Sequence, residues 1–252
     1  MLDHHTYSWE PARPAIEQAI EMDIPIIFNT SKTLSEVASL QKEVGISAPY
    51  IIENGGAVWI PEYYFPGYQG GLVVLGVDSQ TILSKIETLR KNYRFKGFSQ
   101  MSHAEIASLT GLSEESAALA AQRSCSEPLV WLDTEEQLKS FTEIINSLGL
   151  QIVKGGRFYH LSGHSSKGQA LNYLHTLFKD KFPEHSCLSV ALGDSPNDLS
   201  MLEVADLSVV IQRADGTYLE CKGNDVRPAG GMGPEAWNKQ ILSIIEEMFS
   251  RS

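Results

Sequence analysis

Two aspartates stand four positions apart in Gly193-Asp194-Ser195-Pro196-Asn197-Asp198, directly after the apolar run Cys187 to Leu192. In a parallel sheet, ligands sit at the loops that leave the carboxyl ends of strands. Carboxylates converging there offer hard oxygens of the kind Mg²⁺ takes, one or two at a time, beside water and phosphate. The same residues equally read as a turn that caps a helix, since Ser, Pro, Asn and Asp are all turn formers. A second candidate is Phe28-Asn29-Thr30-Ser31-Lys32, where hydroxyls and N–H groups at a helix start could cradle phosphate and Lys32 adds charge. Taken alone, Thr30 or Ser31 is more often an N-cap. The third is Ser165-Ser166-Lys167-Gly168, which puts a lysine in a first helical turn, where the macrodipole prefers an acid. Either a site there needs a cation or Lys167 is an ordinary solvated lysine.

These residues need elements to position them. The spacing of Ala15, Ile16, Ala19 and Ile20 predicts a helix over 14–22, and Ile24 to Phe28 reads as a short strand buried on both faces. A helix over 34–44, stopped by Gly45, precedes a strand at 50–52 that runs into Glu53-Asn54-Gly55-Gly56. This alternation is the rhythm of a parallel sheet with crossover helices. From about 61 to 71 the chain turns loop-like. The middle third predicts strands at 72–77, 129–132 and 151–154 and helices at 79–93, 113–123 and 135–148. Afterwards the α/β rhythm resumes: helix 167–178, strand 187–192, helix 199–205, strand 207–211 and a closing helix over 237–249. The fold class expected is α/β: a Rossmann-like parallel-sheet core with an inserted α+β domain.

Bulk properties exclude several classes. At 252 residues, 42% of them hydrophobic, the chain can bury a real core. A formal charge of −11 argues against nucleic acid and anionic membranes as partners, since both require clustered cations. Cys125, Cys187 and Cys221 are odd in number and lack metal-ligand spacing. No run reaches membrane-spanning length and no signal peptide opens the chain, so a cytoplasmic protein is expected.

The order Thr/Ser loop, lysine, then Gly-Asp-Ser-Pro-Asn-Asp resembles the second, third and fourth motifs of haloacid-dehalogenase (HAD) phosphatases, over nearly the whole chain. Glu53-Asn54-Gly55-Gly56 resembles the branch with a large α+β (C2B-type) cap. Finer matches at Ile27 to Thr33, Gln122 to Pro128, Gly155 to His160 and Gly231 to Trp237 resemble the mannosyl-3-phosphoglycerate phosphatase family within it.

The resemblance implies a HAD-like core over 1–72 and 162–252, and a cap over 73–161. It implies a Mg²⁺-dependent phosphomonoester hydrolase working through an aspartyl-phosphate. Thr30 and Lys167 would be catalytic, the first on the phosphoryl oxygens and the second neutralising charge. Ser31, Lys32, Asn54, Arg123, Arg157 and His160 would bind substrate, with Glu127 orienting Arg123 or meeting hydroxyls. Asp194 would hold the metal, and Asp198 would be a ligand or stand behind one. The expected substrate is a phosphorylated glycosyl-glycerate, with mannosyl ahead of glucosyl; a simple sugar phosphate, or a phosphosugar-binding remnant without chemistry, is the alternative. The family's Asp-x-Asp-Gly-Thr nucleophile motif does not occur before Thr30, although Met1-Leu2-Asp3 resembles the residues that follow it. The expectation is therefore that a short upstream segment completes the enzyme, and that Met1–Ser252 alone does not turn over.

Overall fold

A computed structural model describes residues 8–155 and 157–250; the match at Met1-Leu2-Asp3 lies outside them. In chain order the elements are α1 (Arg13–Glu21), α2 (Leu34–Val44), β1 (Tyr50–Ile52), β2 (Ala57–Ile60), β3 (Gly71–Val74), α3 (Ser79–Glu87) and β4 (Phe95–Gly97). Then come α4 (His103–Thr110), α5 (Glu114–Ala121), β5 (Ser126–Trp131), α6 (Glu135–Ser147), β6 (Leu150–Lys154) and β7 (Tyr159–Gly163). The chain closes with α7 (Lys167–Lys181), β8 (Val190–Gly193), α8 (Leu199–Val204), β9 (Leu207–Val210), β10 (Val226–Pro228) and α9 (Gly233–Phe249). These fall into two compact units, one from residues up to Ile27 together with Lys167 onward, the other Phe28–Ser166.

In the first unit, β10-β9-β8 form a parallel sheet, with Val190 beside Leu207 and Val209 beside Arg227. Alternate residues of β9 go to opposite faces. Leu207, Val209 and Ile211 pack with Ala236 and Ile244 of α9. Val210 instead joins Ala191, Met201 and Leu202 on the face covered by α8. Both faces are therefore dry, which is why β9 is almost wholly apolar. Helix α1 buries Ala15, Ile16 and Ala19, and its Ala15 N–H donates to Asn238 Oδ1 at 2.9 Å.

The second unit carries two sheets. Strands β1-β2-β3 form an antiparallel meander, Tyr50 facing Trp59 and Val58 facing Val73. Strands β4-β5-β7-β6 form a fully antiparallel sheet, with Leu129, Phe141, Ile145, Leu150 and Leu161 buried in its core. Around Phe141, the rings of Tyr93, Phe95 and Trp131 sit 5.1–5.3 Å away, edge-on or tilted.

Two expectations change. The run Ile24 to Phe28 is not a strand: a single parallel bridge joins Asn29 to Ile51, flanked by Ile51 N–H to Phe28 O at 2.7 Å and Thr30 N–H to Ile51 O at 3.1 Å. Pro25 has no N–H to give a ladder. Strand β1, expected in a parallel sheet, pairs antiparallel with β2, which follows it after a tight turn. Strands β7 and β10, too short and mixed for periodicity to reveal, pair with the distant β5 and with β9. Among the described residues, no helix is long and apolar enough to cross a membrane.

Candidate functional site

Within the first unit, β8 ends at Gly193 and the chain turns into a 3₁₀ turn at Pro196–Asp198 before α8. Lys167, the first residue of α7, comes to this turn. Its side chain is only 6% exposed, which removes the solvated-lysine alternative. Lys167 Nζ donates to Asp198 Oδ1 at 2.6 Å. The other oxygen, Asp198 Oδ2, accepts the N–H groups of Asp194 at 3.1 Å and Ser195 at 2.9 Å. Burial of two opposite charges is tolerated because each is paired and hydrogen-bonded.

Two glycines make this approach sterically feasible. A Cβ on Gly193 would lie 2.6 Å from Asp198 Cβ, and one on Gly168 would run into the Ser200 carbonyl oxygen. Gly168 N–H donates to Ser200 Oγ at 3.2 Å, locking α7 to α8 beside Lys167. Arg213 Nε donates to the Asp194 carbonyl at 3.0 Å and steadies the far side of the turn. The Asp194 carboxylate accepts from the Ser195 hydroxyl at 3.4 Å. No group of three or more His, Cys, Asp or Glu able to hold a metal occurs among the described residues. The Asp194 carboxylate at a strand end is nevertheless a hard oxygen donor of the kind that fits Mg²⁺, which keeps several waters and shares its ligation with substrate phosphate.

Within the second unit, the Thr30–Lys32 loop is held by backbone. Asn54 N–H donates to Thr30 O at 2.9 Å, Glu53 N–H to Lys32 O at 3.0 Å, and Lys32 N–H to Thr30 Oγ1 at 3.2 Å. The N-cap of α2 is neither Thr30 nor Ser31 but Thr33, in a capping box with Glu36: the Glu36 N–H donates to Thr33 Oγ1 at 3.3 Å, and the Thr33 N–H donates to Glu36 Oε2 at 2.9 Å. Thr30 and Ser31 are thus not spent on capping. Lys32 Nζ meets Glu36 at 3.2 Å, a pair one helical turn apart.

Arg123 donates from Nη1 to the Ser31 carbonyl and from Nε to Ala120 O, both at 2.9 Å, so its guanidinium is fixed at the Thr30–Lys32 loop. His160 lies on β7 opposite Pro128 of β5. Burial, helped by the Arg123 cation, pushes its imidazole down to about 4, so it is neutral near pH 7 and able both to donate and to accept. Arg157 goes elsewhere: its Nη1 donates to Leu109 O at 3.2 Å and Thr110 O at 2.5 Å, closing the carboxyl end of α4.

Two buried carboxylates carry more of this unit than their sequence context announces. Glu127 accepts from Ser99 N–H at 3.0 Å and Ser99 Oγ at 2.6 Å, and burial pushes its carboxyl upward. Glu53, 2% exposed, accepts from three donors on 124–126. The only sequence sign of Glu53 was its place in Glu53-Asn54-Gly55-Gly56 at the end of a strand.

A family model described as haloacid dehalogenase-like hydrolase matches residues 113–220. The chain is 35% identical, over 98% of its length and 94% of the relative's, to the glucosyl-3-phosphoglycerate/mannosyl-3-phosphoglycerate phosphatase of Persephonella marina. It is 34% identical to the protein of the same name from Methanococcoides burtonii, over 97% and 93% of the two chains. Among solved structures, a haloacid dehalogenase-like hydrolase from B. subtilis superposes with a TM-score of 0.63 at 19% identity, over 96% of this chain and 95% of that one, a likeness of fold. The chain belongs to the haloacid dehalogenase-like hydrolase family, on its phosphatase branch.

Proposed function

We propose that the protein hydrolyses the phosphate monoester of a glycosyl-3-phosphoglycerate, mannosyl or glucosyl, releasing inorganic phosphate and the glycosyl-glycerate. The observation that carries the chemistry is the buried Lys167–Asp198 pair beside Asp194. Phosphoryl transfer asks little of a protein beyond in-line positioning and stabilisation of charge on the equatorial oxygens. A buried ammonium held by one carboxylate oxygen is preorganised for that work, because it has no solvent shell to rearrange. The substrate class rests on the two relatives, whose names give both glycosyl forms and which match nearly the full chain.

In this reading 1–72 with 162–252 carry the phosphate chemistry and 73–161 is the cap that recognises the rest of the substrate. Thr30 and Ser31 bind phosphoryl oxygens, with Lys32 and Asn54 shaping that loop. Lys167 neutralises charge, and Asp198 fixes Lys167 and the backbone of 194–195. Asp194 holds Mg²⁺, which when bound supplies positive charge to the phosphate. Arg123, with its planar donors, takes the glycerate carboxylate. Neutral His160 takes a hydroxyl, and Arg157, held by one nitrogen at the end of α4, binds substrate from the cap. Three free thiols fit a reducing, cytoplasmic setting.

The test is phosphate release by the full-length gene product from mannosyl-3-phosphoglycerate, glucosyl-3-phosphoglycerate and a simple hexose phosphate, with and without Mg²⁺. Preference for either glycosyl-phosphoglycerate, lost on chelation, supports the reading. Preference for the hexose phosphate replaces the substrate assignment, and no release from any ester, with retained binding, leaves a phosphosugar binder instead. In parallel, Mg²⁺ should raise the melting temperature of the wild type but not of Asp194→Asn, a readout independent of turnover.

A further inference from the structure

Glu53 makes an arrangement that the proposed roles leave unused. It follows β1 at the start of a tight turn, with φ +50°, and Asn54 follows at +59°. Two consecutive non-glycine residues in the left-handed region persist only where surrounding contacts hold them, and such positions gather at working sites. Here the contacts are visible. Glu53 Oε1 accepts the Ser124 N–H at 2.7 Å, while Oε2 accepts the Cys125 N–H at 3.1 Å and the Ser126 hydroxyl at 2.5 Å. All three donors follow Arg123 directly in the chain. The backbone of the same residue faces the other way, its N–H donating to Lys32 O at 3.0 Å.

We infer that Glu53 is a positioning residue for Arg123, and through it a determinant of specificity for the acid end of the substrate; the inference rests on the proposed glycosyl-3-phosphoglycerate reading. Glu53 ties the Thr30–Lys32 loop, through its backbone, to the 124–126 segment, through its carboxylate. Arg123 stands between these two tethers and donates back to Ser31 O. The distance from the phosphate-binding loop to the guanidinium is thereby fixed by one buried side chain. A carboxylate is the side chain the geometry demands: three donors converge on it, and an amide would turn its own NH₂ toward at least one of them. Cys125 is a bystander, since burial and the Glu53 charge push its thiol up and keep it protonated.

The experiment measures equilibrium binding, by calorimetry with Mg²⁺ removed by chelation so that the ester is not turned over, of glucosyl-3-phosphoglycerate and of inorganic phosphate to the protein and to Glu53→Gln, Arg123→Ala, the double variant and Ser126→Ala. The expected result is an ester affinity weakened on the order of tenfold by either Glu53→Gln or Arg123→Ala. Phosphate affinity should be unchanged within about twofold, and the double variant no weaker than Arg123→Ala alone. Ser126→Ala, which removes one donor and leaves the carboxylate, should weaken the ester by about fivefold, and it decides the matter if Glu53→Gln does not fold. Additive losses in the double variant, or equal loss of phosphate and ester, would mean that Glu53 only supports the fold. Wild-type ester affinity in Glu53→Gln, or in Ser126→Ala if that variant alone folds, overturns the inference while leaving the proposed function standing. Failure of the wild type to bind the ester overturns both.

Discussion

Lys167 and Asp198 form a closed unit: one oxygen of the carboxylate takes the ammonium at 2.6 Å, and the other holds the backbone N–H groups of residues 194 and 195. One side chain thus places both the cation and the turn that presents Asp194. Since both partners are buried, removing one strands the other's charge in a poorly solvating site. Lys167→Met should therefore cost about 3–5 kcal/mol of stability as well as activity. Urea unfolding measures it, and a loss well under 1 kcal/mol would show that Asp198 finds another partner.

Gly168→Ala tests the packing that brings Lys167 to the turn. The added methyl meets the Ser200 carbonyl, which is backbone and cannot swing aside. A destabilisation of about 1–3 kcal/mol is expected from the forced shift of α7 against α8. Thermal unfolding that matches the wild type would show the two helices are not in hard contact.

Thr33→Ala removes the N-cap of α2 and with it the donor to the Leu119 carbonyl at 2.9 Å. Loss of a cap costs about 1 kcal/mol, and the unsatisfied carbonyl adds to it. Thr30→Ala, by contrast, touches no cap, so it should lower phosphate affinity with little change in melting temperature. The reverse pattern would return the capping role to Thr30.

His160 gives a pH signature. Its imidazole titrates at about 4 in the folded chain against an ordinary 6.5, so the folded state resists a proton that the unfolded chain accepts. The stabilising contribution is whole above pH 6.5, shrinks as the pH falls below it, and is gone by about 4. In His160→Gln that part of the slope should vanish. Unfolding free energies measured across this window would refute the assignment if the two proteins lose stability in parallel.

The sequence by itself determined much of this protein. The spacing of Ala15, Ile16, Ala19 and Ile20 set helix α1, which buries the first three and leaves Ile20 exposed, and the apolar run before Gly193 set β8. Gly193 to Asp198, Lys167 and the Thr30 loop were recognisable because their chemistry is local: residue type and position relative to a strand end or helix start carry the signal. What only the tertiary structure decided is which local reading prevails. Lys167 could have been a solvated lysine until a partner 31 residues away buried it. Thr30 and Ser31 could have been caps until Thr33 took that place. The pairing of β7 with β5 and the grip of Glu53 on 124–126 join segments far apart in the chain, and no periodicity encodes those. Hydrogen bonds and burial between distant segments are not written in any window of the chain. They arise when the chain closes, and there the choice between equally plausible side-chain roles was made.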